Sequence, residues 1–192
     1  MNICLYGASS KDIDGAYIEA VEKLGYEMGK RGHSLIFGGG ANGLMGAAAR
    51  GVFESGGSVI GVAPSFFDVD GILFQNCSEI HLTETMRERK QMMEDLADAF
   101  LTVPGGIGTF EEFFEILTLK QLGRHNKAVV IYNLDNYYED MIGMMNRAIS
   151  GGFMSKKNSE LFTVFSAAED ILNYVESYVP VTIHLEELKR IN

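Results

Sequence analysis

The sequence has few of the residues from which disulfides and metal centres are built. It contains only two cysteines, Cys4 and Cys77, and these have neither CxxC nor zinc-type spacing and lie in apolar surroundings. Such cysteines suit a compartment that keeps thiols reduced. The histidines occur singly along the chain, as His33, His81, His125 and His184. We therefore expect no disulfide framework and no histidine-based metal site. As a separate expectation, the protein needs no cofactor.

Basic residues are also scarce. The 192 residues include 16 Lys and Arg against 26 Asp and Glu, which gives a net charge of −10. Proteins that bind nucleic acid usually present a basic face, so we expect no nucleic-acid partner. A small phosphorylated ligand remains compatible with this composition if a local positive site overcomes the acidic surface.

Long apolar runs are missing as well. No stretch approaches the ~20 residues that a membrane helix needs, so no membrane partner is expected. Residues 1–6 lead directly into a glycine turn without the basic segment of a secretory signal. These features together predict a cytoplasmic protein.

What the sequence does contain is a regular alternation of short apolar runs and longer amphipathic stretches. Apolar runs of this kind predict buried strands, and their alternation with helices predicts an α/β protein with a parallel sheet covered on both faces. We predict one domain over residues 1–180 and a charged tail over 181–192. The predicted strands are 2–6, 34–37, 58–62, 79–82, 100–103, 127–132 and 161–165. The predicted helices are 14–31, 44–55, 85–97, 110–122, 137–150 and 167–178, with a loop over 64–76.

Three predicted strands end in turns rich in Gly, Ser or Asn, at residues 7–10, 38–43 and 104–109. In a parallel sheet these turns share the edge at which ligands bind. Glycine lets the backbone approach an anion closely, and the helix that follows offers free N–H groups. Three such turns on one edge predict a ligand that carries a phosphate.

The middle turn fits the dinucleotide pattern GxGxxG at residues 38–43. It follows the second strand rather than the first, and no acidic residue is clearly placed about 20 residues later. Three interpretations remain open: a nicotinamide cofactor, a tight turn with close helix packing through Gly43 and Gly46, or phosphate and ribose binding. Gly39 and Gly40 are the candidate ligand contacts in this turn.

Thr109 and Glu112 have the spacing of a capping box, which alone would stabilise a helix by about 0.5–2 kcal/mol. A cap does not explain the glycine run before it, nor why Glu112 shares a helical face with Ile116 and Leu119. A carboxylate at a helix N-terminus is favoured in its charged form. We therefore expect an ionised Glu112 that stabilises a cation rather than donating a proton.

Arg89 lies in an apolar stripe of the preceding helix, with Met86, Met93 and Leu96 at helical spacing. A buried arginine needs an anionic partner, which is either a carboxylate of the protein or a phosphate of a ligand. The spacing leaves both partners open.

The element Met86-x-x-Arg89-Lys90, followed by PGGxGTxxE at residues 104–112, resembles the paired signature of the LOG ("Lonely guy") phosphoribohydrolases. The glycine segment 38–46 also resembles that family, and the similarity runs from about residue 2 to 175. The resemblance implies a Rossmann-like doubly wound parallel β-sheet with helices on both faces, and a homodimer. It also implies hydrolysis of the N-glycosidic bond of purine 5′-monophosphates, including cytokinin nucleotides, to the free base and ribose 5-phosphate.

By motif position, the resemblance makes Arg89 and Glu112 catalytic. Glu112 would stabilise the oxocarbenium-like ribosyl group while water attacks, and Arg89 would orient the nucleotide and tune Glu112. The loop 64–76 does not align cleanly with an acidic position of the plant members, so Asp68 or Asp70 is a candidate there. The implied ligand contacts are Gly39, Gly40, Met86, Arg89, Lys90, Gly105, Gly106, Ile107, Gly108, Thr109, Phe110, Glu111, Glu112 and Thr118.

Two rival functions come from other classes: a non-enzymatic carrier of the molybdenum-cofactor type, and an NAD(P)-dependent enzyme. The Met86-x-x-Arg89-Lys90 element favours the hydrolase over both. Some relatives are labelled lysine decarboxylases, but a pyridoxal enzyme normally needs a larger scaffold with its own phosphate site. The sequence identifies no general acid for the leaving base.

The two helices that hold these motifs contain more large apolar residues than one sheet can cover, which predicts a two-fold interface. These residues are Met86, Met92, Met93, Leu96, Phe110, Phe113, Phe114, Leu117 and Leu119.

Overall fold

The computed structural model describes residues 1–67 and 71–180, in which seven strands alternate with six α-helices. The predicted tail over 181–192 and the candidates Asp68 and Asp70 lie outside the described residues. In chain order the elements are β1 (Asn2–Tyr6), α1 (Gly15–Lys30), β2 (Ser34–Phe37), α2 (Gly43–Glu54), β3 (Val59–Pro64), β4 (Glu79–Thr83), α3 (Met86–Leu96), β5 (Ala99–Thr102), α4 (Ile107–Gln121), β6 (Ala128–Tyr132), α5 (Glu139–Ser150), β7 (Thr163–Phe165) and α6 (Ala168–Ser177).

All seven strands form one parallel sheet in the order β4-β3-β2-β1-β5-β6-β7. The chain builds outward from β1 to β4, then returns to the other side of β1 and builds outward again. Leu5 of β1 pairs with Phe37 of β2 on one side and with Leu101 of β5 on the other, so these strands end at nearly the same level. The predicted doubly wound α/β fold is confirmed, with its topological switch point between β1 and β5.

Two apolar layers cover the two faces of the sheet. Helices α1, α2 and α6 cover one face, and α3, α4 and α5 cover the other. The five strands β1, β2, β3, β5 and β6 are buried, as the apolar pattern predicts. The edge strand β4 is different, because Ile80 and Leu82 are exposed on it. The prediction that the sheet is covered on both faces is therefore wrong at this edge.

The segment predicted as an irregular loop over 64–76 is attached to the glycine turn after β2. Ala41 N–H donates to the Ile72 carbonyl at 2.9 Å, and Phe74 N–H donates to the Gly39 carbonyl at 2.8 Å. The segment begins with a short 3-10 turn, Ser65–Phe67. These bonds hold residues 71–76 beside the carboxyl ends of the strands, where Ile72 and Leu73, together with Phe67, line one wall of the cleft described next.

No helix among the described residues is both long and apolar enough to cross a lipid bilayer.

Candidate active site

The three glycine turns line one cleft of about 690 Å³ at the carboxyl ends of β1, β2 and β5. This is the switch-point crevice in which open α/β sheets bind their ligands. Arg89 and Glu112 are the only titratable side chains that line it within residues 1–67 and 71–180. The apolar side chains of the cleft come from α2, α3, the start of α4 and the segment after β3, and they are Met45, Phe67, Ile72, Leu73, Met86 and Ile107.

The helix N-termini at the first two turns are already occupied. At α1, the Asp14 side chain accepts from Ala16 N–H at 2.9 Å. At α2, the Ala8 carbonyl accepts from the N–H groups of Leu44 and Met45, at 2.8 and 3.3 Å. Neither helix therefore presents a full set of free amides to a ligand.

The start of α4 is open. Its N-cap residue, Gly106, has no side chain with which to cap the helix. The N–H groups of Ile107, Gly108 and Thr109 have no protein acceptor among the residues that the structure describes. Unpaired amides at the positive end of a 15-residue helix form a site for an anion. The turn after β5 is therefore a candidate anion cradle of the cleft.

Arg89 lies at the floor of the cleft with 6% of its surface exposed. Its Nε donates to the Val62 carbonyl at 3.2 Å, and its Nη1 donates to Oε1 of Glu112, also at 3.2 Å. A guanidinium has five N–H donors, so three of them have no acceptor in the described part of the chain. The anionic partner that the sequence left open is thus a protein carboxylate, and donors remain for a ligand as well.

The capping box of this region is in α3 rather than α4. Thr85 accepts from Glu88 N–H at 3.2 Å, and the Glu88 carboxylate accepts from Thr85 N–H at 3.3 Å. The predicted box of Thr109 and Glu112 is wrong, because α4 begins at Ile107 and Thr109 already lies inside its first turn. The same S/T-x-x-E spacing at residues 85–88 was the signal that sequence reasoning did not use.

Burial raises the pKa of Glu112, and the neighbouring Arg89 guanidinium only partly opposes this effect. The shift is opposite to the one that a helix N-terminus alone would produce. The physical reason is position: Glu112 is the sixth residue of α4 and lies beyond the first turn, to which the dipole effect is confined. Its carboxyl group, 8% exposed, consequently accepts a proton more readily than an ordinary glutamate does.

Some of the other predicted ligand contacts line the cleft and others do not. Gly40, Met86, Gly106, Ile107, Gly108 and Thr109 line the cleft together with Arg89 and Glu112. Gly39 and Gly105 do not line it: Gly39 adopts φ +80°, and the Gly105 carbonyl accepts from the Tyr137 hydroxyl at 2.7 Å.

Lys90, Phe110, Glu111 and Thr118 do not line this cleft. Lys90 pairs with Glu111 and with Glu115, the latter at 2.8 Å, in a second cleft of about 530 Å³ between α3 and α4. The Thr118 hydroxyl donates to the Phe114 carbonyl within α4 at 2.7 Å. The Phe110 ring packs edge-on against Tyr138.

The turns at 7–10 and 38–43, which the sequence placed at the ligand-binding edge, also line the cleft, through Gly7, Ala8, Ser9, Ser10, Gly38 and Asn42. Sequence reasoning missed four lining residues, namely Met45, Phe67, Ile72 and Leu73. Phe67, Ile72 and Leu73 gave no signal, because they belong to the segment predicted as an irregular loop.

No group of three or more His, Cys, Asp or Glu side chains within the two described ranges is arranged to hold a metal ion. Cys4 and Cys77 are both free thiols. The fold and this cleft together define an α/β protein with a site for an anionic ligand.

Comparison with known proteins identifies the family. Residues 45–175 match the family model described as "Possible lysine decarboxylase". The cytokinin riboside 5′-monophosphate phosphoribohydrolase LOG of Oryza sativa subsp. japonica is 36% identical over 93% of this chain and 74% of its own length. The cytokinin riboside 5′-monophosphate phosphoribohydrolase LOG2 of Arabidopsis thaliana is 34% identical over 93% of this chain and 84% of its own length. The chain therefore belongs to the LOG family.

Solved structures confirm the fold. The protein TM1055 superposes with a TM-score of 0.72 at 22% identity, covering 92% of this chain and 99% of that one. The Moco carrier protein of Chlamydomonas superposes with a TM-score of 0.69 at 20% identity, covering 91% of this chain and 94% of that one. At these identities the likeness concerns the fold alone.

Proposed function

We propose that this protein is a phosphoribohydrolase that cleaves the N-glycosidic bond of purine nucleoside 5′-monophosphates, cytokinin nucleotides included. Water is the second substrate, and the products are the free base and ribose 5-phosphate. The observation that supports this most is the buried Arg89–Glu112 pair, 3.2 Å apart, in the same cleft as the free amides of α4. The names of the related LOG enzymes support the same reaction.

The start of α4 is the proposed phosphate site. Its free amides at Ile107, Gly108 and Thr109 equal in number the three terminal oxygens of a phosphate monoester. Their partial positive charges attract these negatively charged oxygens. Arg89 adds three N–H donors and a positive charge in the same cleft. This local site answers the question raised by the net charge of −10, because it provides positive potential where the surface as a whole does not.

Glu112 is the proposed catalytic carboxylate. As the C–N bond breaks, positive charge develops on the ribosyl group, and an ionised carboxylate beside it lowers the energy of that state. The attacking water must lose a proton, and the raised pKa of Glu112 suits this side chain to accept it. Arg89 keeps the carboxylate oriented and binds the nucleotide with its remaining donors.

The apolar wall is the proposed base site. Phe67, Ile72 and Leu73 line one side of the cleft and Met86 another. A purine ring, with or without an apolar substituent, buries surface against such side chains.

The test is to incubate the purified protein with AMP and to separate the products by chromatography. We expect adenine and ribose 5-phosphate in equal amounts from the wild type, and both at a rate about 10²–10⁴-fold lower from Glu112→Gln. The Moco-carrier neighbours keep a carrier function as the second candidate. Tight binding of AMP by the wild type without any adenine would favour the carrier and reject the hydrolase.

We further infer that the protein forms a homodimer through the outer faces of α3 and α4. Leu122 is exposed at the end of α4, and Phe110, Phe114 and Leu119 are only partly buried. The predicted ligand contacts that miss the cleft share this surface, because Glu111 and Thr118 lie seven residues apart on one face of α4 and Lys90 pairs with Glu111. A two-fold axis there would bring these side chains toward the partner's cleft.

The free thiols of Cys4 and Cys77 support a reducing compartment, which we propose is the cytoplasm.

A further inference from the structure

The backbone conformation of Gly38 does not explain why this residue is glycine. It directly follows β2 and is buried. Its φ is not among the positive values, whereas the next residue, Gly39, has φ +80°. A left-handed backbone conformation therefore does not explain the glycine at this position. The requirement for glycine at this position must come from space.

That space is filled by Arg89. A Cβ atom built on Gly38 would lie 2.0 Å from Nη2, 3.1 Å from Cζ and 3.5 Å from Nε of Arg89, and these are its three nearest neighbours. The guanidinium lies directly against the bare Cα of Gly38. Its Nε is held by the Val62 carbonyl of β3, and its Nη1 is held by the Glu112 carboxylate of α4. Three contacts thus fix the plane of the guanidinium.

We propose that Gly38 is a positioning residue for Arg89. Because Gly38 has no side chain, the end of β2 leaves room for the guanidinium in the position from which it binds Glu112. Its consequence for nucleotide cleavage rests on the function proposed above. The geometric relation between Gly38 and Arg89 does not depend on that function.

Gly38→Ala should act on the site more than on the fold. Nη2 would have to retreat by about 1.4 Å to reach an ordinary contact distance of 3.4 Å. The Arg89–Glu112 hydrogen bond is already 3.2 Å long, so this displacement breaks it. Because the displaced atom is the tip of a long side chain, the surrounding core does not have to move. Glu112 would lose the charge that opposes the effect of burial, and its pKa would rise further.

The experiment compares AMP cleavage by the wild type, Gly38→Ala, Arg89→Lys and the double variant. Gly143→Ala in α5 is the matched control, because a Cβ at Gly143 meets nothing within 4 Å. We expect Gly38→Ala to lower kcat by about 10²-fold, as ångström-scale misplacement of a catalytic group does. The acid limb of its kcat/KM profile should move to higher pH, while Gly143→Ala should behave as wild type.

The double variant gives the decisive comparison, because lysine lacks the Nη2 atom with which the new methyl group collides. In the Arg89→Lys background, Gly38→Ala should cost less than about threefold, which is the non-additivity expected of residues in contact. Equal losses from Gly38→Ala in both backgrounds would show that it acts through something other than Arg89. Unchanged activity of Gly38→Ala would also overturn the proposal.

A crystal structure of Gly38→Ala separates this proposal from the proposed function. A displaced guanidinium with a broken bond to Glu112 supports the positioning role even if the wild type does not cleave AMP. An unmoved Arg89 that still bonds Glu112 refutes it, whatever the enzyme does.

Discussion

If the open start of α4 holds the 5′-phosphate, AMP should be cleaved far better than adenosine, although the bond broken is the same. Three amides are free there, at Ile107, Gly108 and Thr109. A hydrogen bond to a charged group contributes about 1.5–3 kcal/mol. Three such bonds, with some loss for desolvation, correspond to at least ~4 kcal/mol, or ~10³-fold in kcat/KM. Binding energy from this remote group should appear in kcat as well as in KM.

One amide can be removed without disturbing the helix. Ile107 is the first residue of α4, the helical position that accepts proline best, and Gly106 before it is extended. Ile107→Pro deletes one N–H and should lower kcat/KM for AMP by about 10- to 100-fold, with little change for adenosine. Ile107→Ala is the control, because it keeps the N–H but removes the exposed side chain. The ratio of AMP to adenosine cleavage should stay at the wild-type value in Ile107→Ala.

The assay measures initial rates of adenine release from both nucleotide and nucleoside by chromatography. Comparable cleavage of adenosine and AMP by the wild type would mean that α4 does not bind phosphate. An equal loss on both substrates in Ile107→Pro would mean that the amide contributes to something other than phosphate binding. The first result would redirect the assignment toward a nucleoside hydrolase, and the second would remove the Ile107 amide from the phosphate site.

Three other predictions concern charge and assembly. Glu112→Gln should lower kcat by about 10²–10⁴-fold at neutral pH while AMP still binds, and it should abolish the acid limb of the pH profile; a rate within tenfold of wild type would remove Glu112 from catalysis. Burial lowers the pKa of Lys120 to about 8, and its hydrogen-bond partner is the Tyr178 hydroxyl at 3.0 Å. The unfolded chain therefore binds more protons than the folded one between pH 8 and 10.5, so stability should rise with pH across that window. At pH 7 Lys120→Met should raise the free energy of unfolding by about 1–3 kcal/mol in urea titrations, and a loss of stability would contradict this. Light scattering at micromolar concentration should give twice the mass of the 21.2 kDa chain, and a monomer mass would reject the homodimer.

The sheet was predictable because both of its faces are buried. β1 and β2 begin and end at the predicted residues. Each is a short apolar run followed by a glycine, and a parallel sheet that is covered on both faces is built from buried strands of this kind. The exposed strand β4 shows the limit of this rule. In an edge strand, apolar residues occur even on a face that no helix covers. Periodicity alone does not reveal whether a strand lies at the edge or in the middle of the sheet.

The start of α4 could not be placed for a different reason. Gly106 serves as N-cap without a side chain, so the chain offers no local cap at the true start. The spacing of Thr109 and Glu112 instead imitated a cap three residues too late. A helix N-terminus left open for a ligand lacks the local signals that mark an ordinary helix start.

Tertiary contacts decided the remaining features of the site. The spacing of α3 predicted a buried Arg89, but its partner Glu112 is 23 residues away with β5 in between. Equally, nothing in the turn at 38–43 shows that the amides of Leu44 and Met45 are taken by the Ala8 carbonyl. Which glycine turn receives the anion is therefore a property of the assembled sheet edge.

Ala8 connects all three glycine turns. Its N–H donates to the Pro104 carbonyl at 3.1 Å, and its own carbonyl accepts from the amides of α2. The ends of β1, β2 and β5 are consequently joined before any ligand arrives. Ordering a flexible loop around a small ligand costs conformational entropy that weakens binding. Here most of that entropy is lost during folding, so the cleft is preorganised, and differences in affinity between ligands should reflect their contacts rather than the ordering of the turns.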